Sequence, residues 1–343
     1  MESKHKIIFA AQDPGGFDAV APVIKNLKKD GSFEVIVFLK NQSGDSAKKV
    51  RIKYVDANNL SPQEIEKIIG VENPDLIFTA TSAGPSIEKE MIRVAKTKGI
   101  QTISIVDYWD NYKKRFGEKF EYLTDDILVV DKIMKREMRA AGIPISRMLV
   151  VGNPRFDKFS NCRMNQGDKN IIAFYSQPFS EQLSKNFNEI KIFADVVRTL
   201  EKAYPDKKVI VKFHPKEENH NKFNKIIKST ELKIKVEKKL KAEDLSRSAG
   251  LIIGINSVAL FDAVLMHKRV LSYQPNKKKG KDTLMSNAHG WSTPAYNKQD
   301  LSRELENIYT KPLPRKELLE IYSKNNSTDR VVDIIKNRIS SKK

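Results

Sequence analysis

Cysteine is almost absent from the 343-residue sequence, since Cys162 is the single one, which excludes an internal disulfide. His214 and His220 lie six positions apart, but no third His or Cys ligand is near them, so we expect no metal site. The first apolar run, at residues 7–11, is too short for a signal peptide, and no window approaches the roughly 18 apolar residues of a membrane span. These absences predict a cytoplasmic protein.

Acidic residues are too few to balance the basic ones. The sequence has 43 Asp and Glu against 62 Lys and Arg, a formal net charge of +19. Aromatic residues are not interleaved with the basic ones as in single-stranded nucleic-acid binders, so no nucleic acid partner is expected. The basic segments 235–241 and 277–281 suit an acidic glycan or a lipid-linked acceptor at the inner membrane face. Solvated surface lysines explain the same charge without any partner.

The chain is longer than one hydrophobic core usually serves, which predicts two domains. Short apolar runs alternate with amphipathic stretches over residues 1–155 and again over 170–325, with a linker at 156–169. Among them, Phe33–Leu39 and Val270–Tyr273 are predicted strands, and Ser180–Tyr204 is a predicted long helix. This alternation predicts right-handed βαβ units and parallel sheets. The expected fold class is therefore α/β, with two Rossmann-like domains whose parallel sheets face each other across a cleft.

Ligands of such sheets bind beyond the carboxyl ends of the strands. The first such loop holds Asp13, Gly15 and Gly16, directly before a helix. The glycines let the backbone approach a donor phosphate, and Asp13 is the candidate general base for an acceptor hydroxyl. Asp before Pro-Gly-Gly is also a common turn residue. The G-x-G-x-x-G and G-x-x-x-x-G-K-[ST] spacings are missing, so NAD or ATP binding of those kinds is not indicated.

Two further loops of the first half are candidates for acceptor binding. Thr81 and Ser82 lie in a small hydroxyl-rich loop, and Asp107, Trp109 and Asn111 follow the next strand. Such groups suit a sugar, whose hydroxyls need hydrogen-bond partners and whose apolar face stacks on aromatic rings. Trp109 is also explained as an anchor in the hydrophobic core.

The second half holds two candidate phosphate-binding loops. His214, Pro215 and Lys216 end a predicted strand, where a cationic side chain can bind a phosphate and stabilise the charge on a leaving group. Asn256 or Ser257 begins a helix after another strand, and its N–H groups would face the same phosphate. His214 is therefore a catalytic as well as a donor-binding candidate. A structural His and a plain helix N-cap are the alternatives.

Four short motifs, in this order, resemble bacterial glycosyltransferases of the GT-B fold that use nucleotide-activated donors. They are Val151-Gly152-Asn153-Pro154-Arg155-Phe156-Asp157, Tyr175-Ser176-Gln177-Pro178, His214-Pro215 and Asn256-Ser257. They are most similar to sialyl- and polysialyltransferases and to CDP-glycerol glycerophosphotransferases, and less so to UDP-N-acetylglucosamine 2-epimerases. The resemblance implies an N-terminal acceptor domain and a C-terminal donor domain in which Ser176 and Gln177 lie near the base or ribose.

The resemblance also implies the reaction. It is an inverting, metal-independent transfer of a sugar or polyol phosphate from a CMP-, CDP- or UDP-linked donor to a glycan or lipid-linked acceptor. The nucleotide sugar is a co-substrate, and no cofactor is expected. The DSGG run of the 2-epimerases is absent, so transfer is favoured over the alternative of a 2-epimerase or nucleotide-sugar hydrolase. A polyanion-binding protein is a second alternative, which depends on the net charge alone.

Overall fold

The structure is a computed structural model that describes residues 4–160, 166–179, 187–215, 217–278, 281–282, 284–313 and 326–341. Internal contacts divide the chain into two units. The first is Met1–Ser160 with Ile321–Lys343, and the second is Asn161–Glu320. Among the described residues, no helix is both long and apolar enough to span a membrane.

The first unit alternates strands and helices around a parallel sheet. Its elements up to residue 150 are β1 (His5–Ala11), α1 (Pro14–Lys29), β2 (Phe33–Leu39), α2 (Ser43–Lys49), β3 (Val55–Asp56), α3 (Pro62–Glu72), β4 (Leu76–Thr79), α4 (Ile87–Lys98), β5 (Gln101–Ile105), α5 (Tyr112–Phe116), β6 (Asp126–Val129), α6 (Lys132–Ala140) and β7 (Met148–Val150). The strand order is β3-β2-β1-β4-β5-β6-β7. The order reverses between β1 and β4, which creates a crevice at the carboxyl ends of these two strands.

The central strands are apolar on both faces because helices cover both sides of the sheet. Ile7 and Phe9 of β1 pack into one core cluster, together with Phe17 of α1. Ile8, the residue between them, packs into a second cluster with Met91 of α4. Alternate side chains of one strand therefore belong to different cores.

The second unit repeats the same topology. Its elements are β8 (Asp168–Tyr175), α7 (Glu189–Ala203), β9 (Lys208–Lys212), α8 (Asn224–Lys228), β10 (Lys233–Glu237), α9 (Ala242–Ser248), β11 (Ala249–Gly254), α10 (Val258–Leu265), β12 (Val270–Tyr273), α11 (Met285–Ala288), β13 (Thr293–Ala295) and α12 (Lys298–Asn307). The parallel strands have the order β10-β9-β8-β11-β12-β13. Its reversal falls between β8 and β11.

The last helix, α13 (Ser327–Ser340), belongs to the first unit. Val331, Ile335 and Ile339 are buried in the core cluster that also contains Ile7 and Phe9. Arg338 donates hydrogen bonds of 2.6 and 2.8 Å to both carboxylate oxygens of Asp126. The predicted boundaries ended at residue 325 and left this helix unassigned.

The segment 151–157, the first of the four motifs that resemble GT-B glycosyltransferases, holds the start of α13 in place. Asp157 accepts hydrogen bonds from the backbone N–H groups of Ser327 and Thr328 at 3.0 and 2.8 Å. Gly152 has a φ of +86°, and a Cβ there would lie 2.2 Å from Ser327 Oγ. Glycine is therefore required by both the backbone conformation and the approach of the helix.

Several predicted elements match the structure to the residue, among them the strands Phe33–Leu39 and Val270–Tyr273. The helix predicted over 180–204 is wrong in its start. It begins at Glu189, after Asn188 caps it by accepting a hydrogen bond from Lys191 N. Residues 180–186 lie outside the described part of the chain.

Candidate functional site

The three predicted donor loops lie at one edge of the second sheet. β9, β8 and β11 are neighbours, and their carboxyl ends lead directly into His214, Ser176–Gln177 and Asn256–Ser257. The loops after β8 and β11 lie on opposite sides of the point where the strand order reverses. The sequence prediction that these residues share one edge is thus matched by the strand order.

Gln177 and Asn256 join the two loops across this reversal. Gln177 Oε1 accepts a hydrogen bond from Asn256 N at 3.0 Å, and Gln177 Nε2 donates one to Asn256 Oδ1, also at 3.0 Å. The side chain of Gln177 is thereby held by the protein itself. Its position fixes the backbone just before α10.

Ser257 is the N-cap residue of α10, but its side chain makes no capping hydrogen bond. Its Oγ is shielded from solvent and has no hydrogen-bond partner among the described residues. The first hydrogen bond of the helix runs from Leu260 N to Ser257 O, so the N–H groups of Val258 and Ala259 have no partner within the helix. A hydroxyl and two N–H groups are therefore arranged as an anion-binding helix terminus.

A buried ion network lies beneath the His214 loop. Lys222 Nζ lies 2.6 Å from Glu189 Oε1 and 2.5 Å from Glu217 Oε1, and all three side chains are at most 2% exposed. Glu217 also accepts hydrogen bonds from Ser176 Oγ at 2.6 Å and from the backbone N–H of His214. Glu217 thus connects the loops after β8 and β9. Sequence reasoning did not select Glu217 for this role.

The remaining predicted donor residues differ in their surroundings. His214 is half-buried, and Pro215 beside it is exposed. Lys216 lies outside the described residues. Ser176 is buried, and its hydroxyl donates to Glu217, so that it cannot donate to a ligand while this bond is made.

In the first unit, a buried carboxylate joins two of the predicted loops. Glu88 Oε1 accepts hydrogen bonds from Gln12 N at 2.9 Å and from Ser82 Oγ at 2.8 Å. Burial raises the pKa of Glu88, and its Oε2 has no hydrogen-bond partner among the described residues. No sequence motif pointed to Glu88, and the Ser82 hydroxyl is bonded to it.

Arg115 organises the predicted acceptor loops. Its Nη1 donates to Thr81 O at 2.6 Å and to Asp107 Oδ1 at 2.8 Å, and its Nη2 donates to Asp110 Oδ1 at 3.1 Å. The Arg115 side chain is 9% exposed. Thr81 and Asp107 are therefore brought together by a residue that the sequence analysis did not select.

Asp13 is exposed at the start of α1, and its side chain makes no capping hydrogen bond. A Cβ on Gly15 would lie 2.8 Å from Asp107 Oδ2, and one on Gly16 would lie 2.7 Å from Ala80 Cβ. The two glycines thus let the start of α1 pack against the ends of β4 and β5. Their contact with a donor stays a prediction.

Trp109 is 6% exposed, and its Nε1 lies 3.1 Å from both carboxylate oxygens of Asp131. This burial favours the interpretation of Trp109 as a core anchor. Asn111 is exposed and has a φ of +55° before α5. Acceptor binding by these residues stays a prediction.

The sequence model of the alpha-2,8-polysialyltransferase (POLYST) family matches residues 152–274. No curated protein shows significant sequence similarity to the chain.

Solved structures resemble the fold along almost the whole chain. UDP-GlcNAc 2-epimerase from Methanocaldococcus jannaschii is 17% identical, with a TM-score of 0.71, 97% of this chain and 99% of that chain being covered. The 2-epimerase from Neisseria meningitidis, bound to UDP-GlcNAc, is 15% identical, with a TM-score of 0.70 and coverage of 97% and 100%. MurG from Acinetobacter baumannii is 13% identical, with a TM-score of 0.64 and coverage of 97% and 99%.

These likenesses confirm the resemblance to GT-B proteins that the short motifs indicated. At such identities the solved structures establish the fold alone. The family model covers the segment in which the donor loops of the second unit lie. The chain therefore has two Rossmann-like units of the GT-B kind, and its residues 152–274 have the sequence pattern of the alpha-2,8-polysialyltransferase family.

Proposed function

We propose that the protein is a glycosyltransferase that moves a sugar from a nucleotide-activated donor to a glycan or lipid-linked acceptor. The observation that supports it is the arrangement at the carboxyl edge of the second sheet. His214 follows β9, and the unpartnered Ser257 hydroxyl and the first N–H groups of α10 follow β11, the two strands that flank β8. This set suits a donor phosphate, and it lies within the segment that matches the polysialyltransferase model.

In the proposed reaction, His214 and the start of α10 stabilise the negative charge that develops on the leaving nucleotide. The acceptor oxygen attacks the anomeric carbon as the bond from that carbon to the phosphate oxygen breaks. Asp13 takes the proton of the attacking hydroxyl. A single displacement inverts the anomeric centre.

The proposed transfer needs no metal, because helix N–H groups and His214 take over the role of a cation at the phosphate. In the part of the chain that the structure describes, no three His, Cys, Asp or Glu side chains are grouped to hold a metal ion. We expect full activity in the presence of EDTA. Activity that is lost with EDTA and restored by Mg²⁺ would argue against this part of the proposal.

A thermal-shift screen against CMP, CDP, UDP and GDP tests the donor site. We expect one nucleotide to raise the melting temperature of the wild type and to have little effect on His214→Ala. A ligand at about 100 times its Kd adds roughly 2.7 kcal/mol to the free energy of unfolding, which such a screen resolves. His220→Ala is the matched control, because His220 lies in the same loop and its ring packs at a tilt against Phe213. Absence of any nucleotide effect would refute the proposal.

Asp13→Asn tests the general base. We expect kcat to fall by about 10² to 10⁴, with nucleotide affinity unchanged. Asp45→Asn is the control, because Asp45 lines the same surface depression as Asp13. Equal kcat values for the two variants would remove Asp13 from the mechanism.

An epimerase-like or hydrolytic reaction is the second candidate, because 2-epimerases are among the structures with this fold. Such a reaction needs no acceptor. NMR of a nucleotide sugar with the protein alone distinguishes the two. A new sugar epimer or free sugar without acceptor favours the second candidate, and turnover only with an acceptor favours transfer.

A further inference from the structure

The carboxylate of Glu217 contacts the loop after β8 and two points of its own connection between β9 and α8. It accepts hydrogen bonds from Ser176 Oγ after β8 and from the His214 backbone after β9, and it pairs with Lys222 before α8. Ser176 and Glu217 are 41 positions apart in the sequence. One buried side chain therefore determines where two of the donor loops lie relative to each other.

Lys222 provides the charge that such a carboxylate needs. Burial alone would lower the pKa of Lys222, but the hydrogen bonds and charges of Glu189 and Glu217 raise it above its ordinary value. The ammonium group is therefore charged in the folded protein. An isolated buried carboxylate is strongly disfavoured, and the Lys222 ammonium beside Glu217 provides the opposite charge.

The ionised form matters because a carboxylate only accepts hydrogen bonds. Both the Ser176 hydroxyl and the His214 backbone N–H can then donate to it at once. A neutral amide in the same place has one accepting oxygen and one donating nitrogen. The Ser176 hydroxyl can turn and accept from that nitrogen, but the nitrogen would oppose the His214 N–H in one orientation and the Lys222 ammonium in the other. Either orientation removes a contact that holds the loop after β9.

We infer that Glu217 is a positioning residue of the donor site. Its carboxylate holds the loops that carry His214 and Ser176 in place relative to each other. The inference deepens the proposed function and depends on it for the identity of the ligand. The inference also gives Ser176 an indirect role in donor binding, since its hydroxyl donates its hydrogen bond to Glu217. His214 remains the residue that touches the donor.

Glu217→Gln and Glu189→Gln form a matched pair of test variants. Each removes one of the two carboxylates around Lys222 and preserves the side-chain volume. Glu217 accepts hydrogen bonds from Ser176 Oγ and from the His214 backbone N–H. If Glu217 served stability alone, the two variants would behave alike.

The first measurement is the Kd of the nucleotide identified by the thermal-shift screen, by calorimetry, together with the melting temperature of each variant. We expect Glu217→Gln to raise the Kd about tenfold or more. Glu189→Gln should bind within about twofold of the wild type at a similar loss of melting temperature. Equal Kd values for the two variants would overturn the inference.

The second measurement needs no nucleotide, so it separates failure of the inference from failure of the proposed function. The ring C–H resonances of His214 are assigned by their loss in His214→Ala. We expect them to move in Glu217→Gln and to stay in place in Glu189→Gln. Unmoved resonances in Glu217→Gln would overturn the inference even if the wild type binds a nucleotide.

A third variant keeps the test decisive if Glu217→Gln does not fold. Glu217→Asp preserves the charge that Lys222 requires but withdraws the carboxylate by one methylene group. We expect it to fold and to shift the His214 resonances. A folded Glu217→Asp with wild-type resonances would contradict the positioning role.

Discussion

Glu88 in the first unit and Glu217 in the second unit are buried carboxylates that connect loops from different strands. Glu217 is paired with a lysine, whereas Glu88 accepts hydrogen bonds from Gln12 N and Ser82 Oγ. Burial raises the pKa of Glu88.

Glu88→Gln should change how the stability depends on pH. Because the pKa of Glu88 in the folded protein lies above its ordinary value of 4.5, its contribution to stability is complete below that value and is lost as pH rises through the raised pKa. The variant cannot ionise. We expect it to gain stability relative to the wild type between about pH 5 and about pH 8, measured by urea unfolding.

Glu90→Gln is the control for this comparison, because Glu90 is a partly exposed glutamate of the same helix. It corrects for the loss of one negative charge. If the wild type and Glu88→Gln lose stability in parallel across the pH range, Glu88 is not a buried acid of this kind.

Arg115→Met should destabilise the first unit by roughly 3 kcal/mol, because it leaves the Asp107 carboxylate without its buried partner. The free energy of unfolding of Arg115→Lys should lie between those of Arg115→Met and the wild type, since lysine retains the charge but not the forked set of N–H donors. Urea unfolding measures both. Lys113 is an exposed neighbour, so Lys113→Met should hardly change the free energy of unfolding. A loss as large as that of Arg115→Met would contradict the role given to the Arg115–Asp107 ion pair.

The candidate site residues that sequence reasoning selected are those that local rules point to. His214 and Ser257 were identified because each follows a strand in a parallel sheet. The residues it missed act through distant partners. Arg115 bonds to Thr81, which lies 34 positions away, and Glu88 bonds to Gln12 N, which lies 76 positions away. A side chain's neighbours at such separations are decided by the tertiary fold.

At the scale of elements, strong apolar patterns predicted the central strands, and short exposed elements were missed. The pattern of β2 runs Phe-Glu-Val-Ile-Val-Phe-Leu and gave its bounds directly. β3 has two residues, both exposed, and α5 has five, so neither shows a periodic pattern. These elements form because the neighbouring strand or loop provides their partners.

Gly152→Ala should destabilise the protein more than Gly99→Ala. Both glycines have positive φ, +86° and +65°, so each alanine carries a strain of roughly 1–2 kcal/mol. A Cβ at 152 would also displace the start of α13, whereas one at 99 meets nothing within 4 Å. Thermal unfolding compares the two variants, and hydrogen exchange should show faster exchange in α13 for Gly152→Ala. Equal losses of melting temperature in the two variants would show that the close approach of α13 to Gly152 does not stabilise the protein.

At the scale of the whole molecule, the two sheets share the order of six strands, to which the first sheet adds β7. Only the first unit is built from two separate segments of chain. Removal of residues 326–343 takes away Val331, Val332, Ile335 and Ile339, each worth roughly 1.5–3 kcal/mol of apolar burial. We expect the first unit to unfold or melt early, while the second unit keeps its transition.

The two tryptophans allow this to be measured, because Trp109 lies in the first unit and Trp291 in the second. Trp109→Phe leaves Trp291 as the fluorescent reporter of the second unit. A chain that ends at residue 341 is the control. Loss of the Trp291 transition on truncation would contradict the division.

The return of α13 also determines when each unit can be completed on the ribosome. The nascent chain presents β1 to β7 first, but their core lacks α13, which is translated only after the second unit. The strands β8 to β13 all precede α13. We therefore expect the second unit to reach its native state before the first, whose apolar core surface is exposed to chaperones while the second unit is translated.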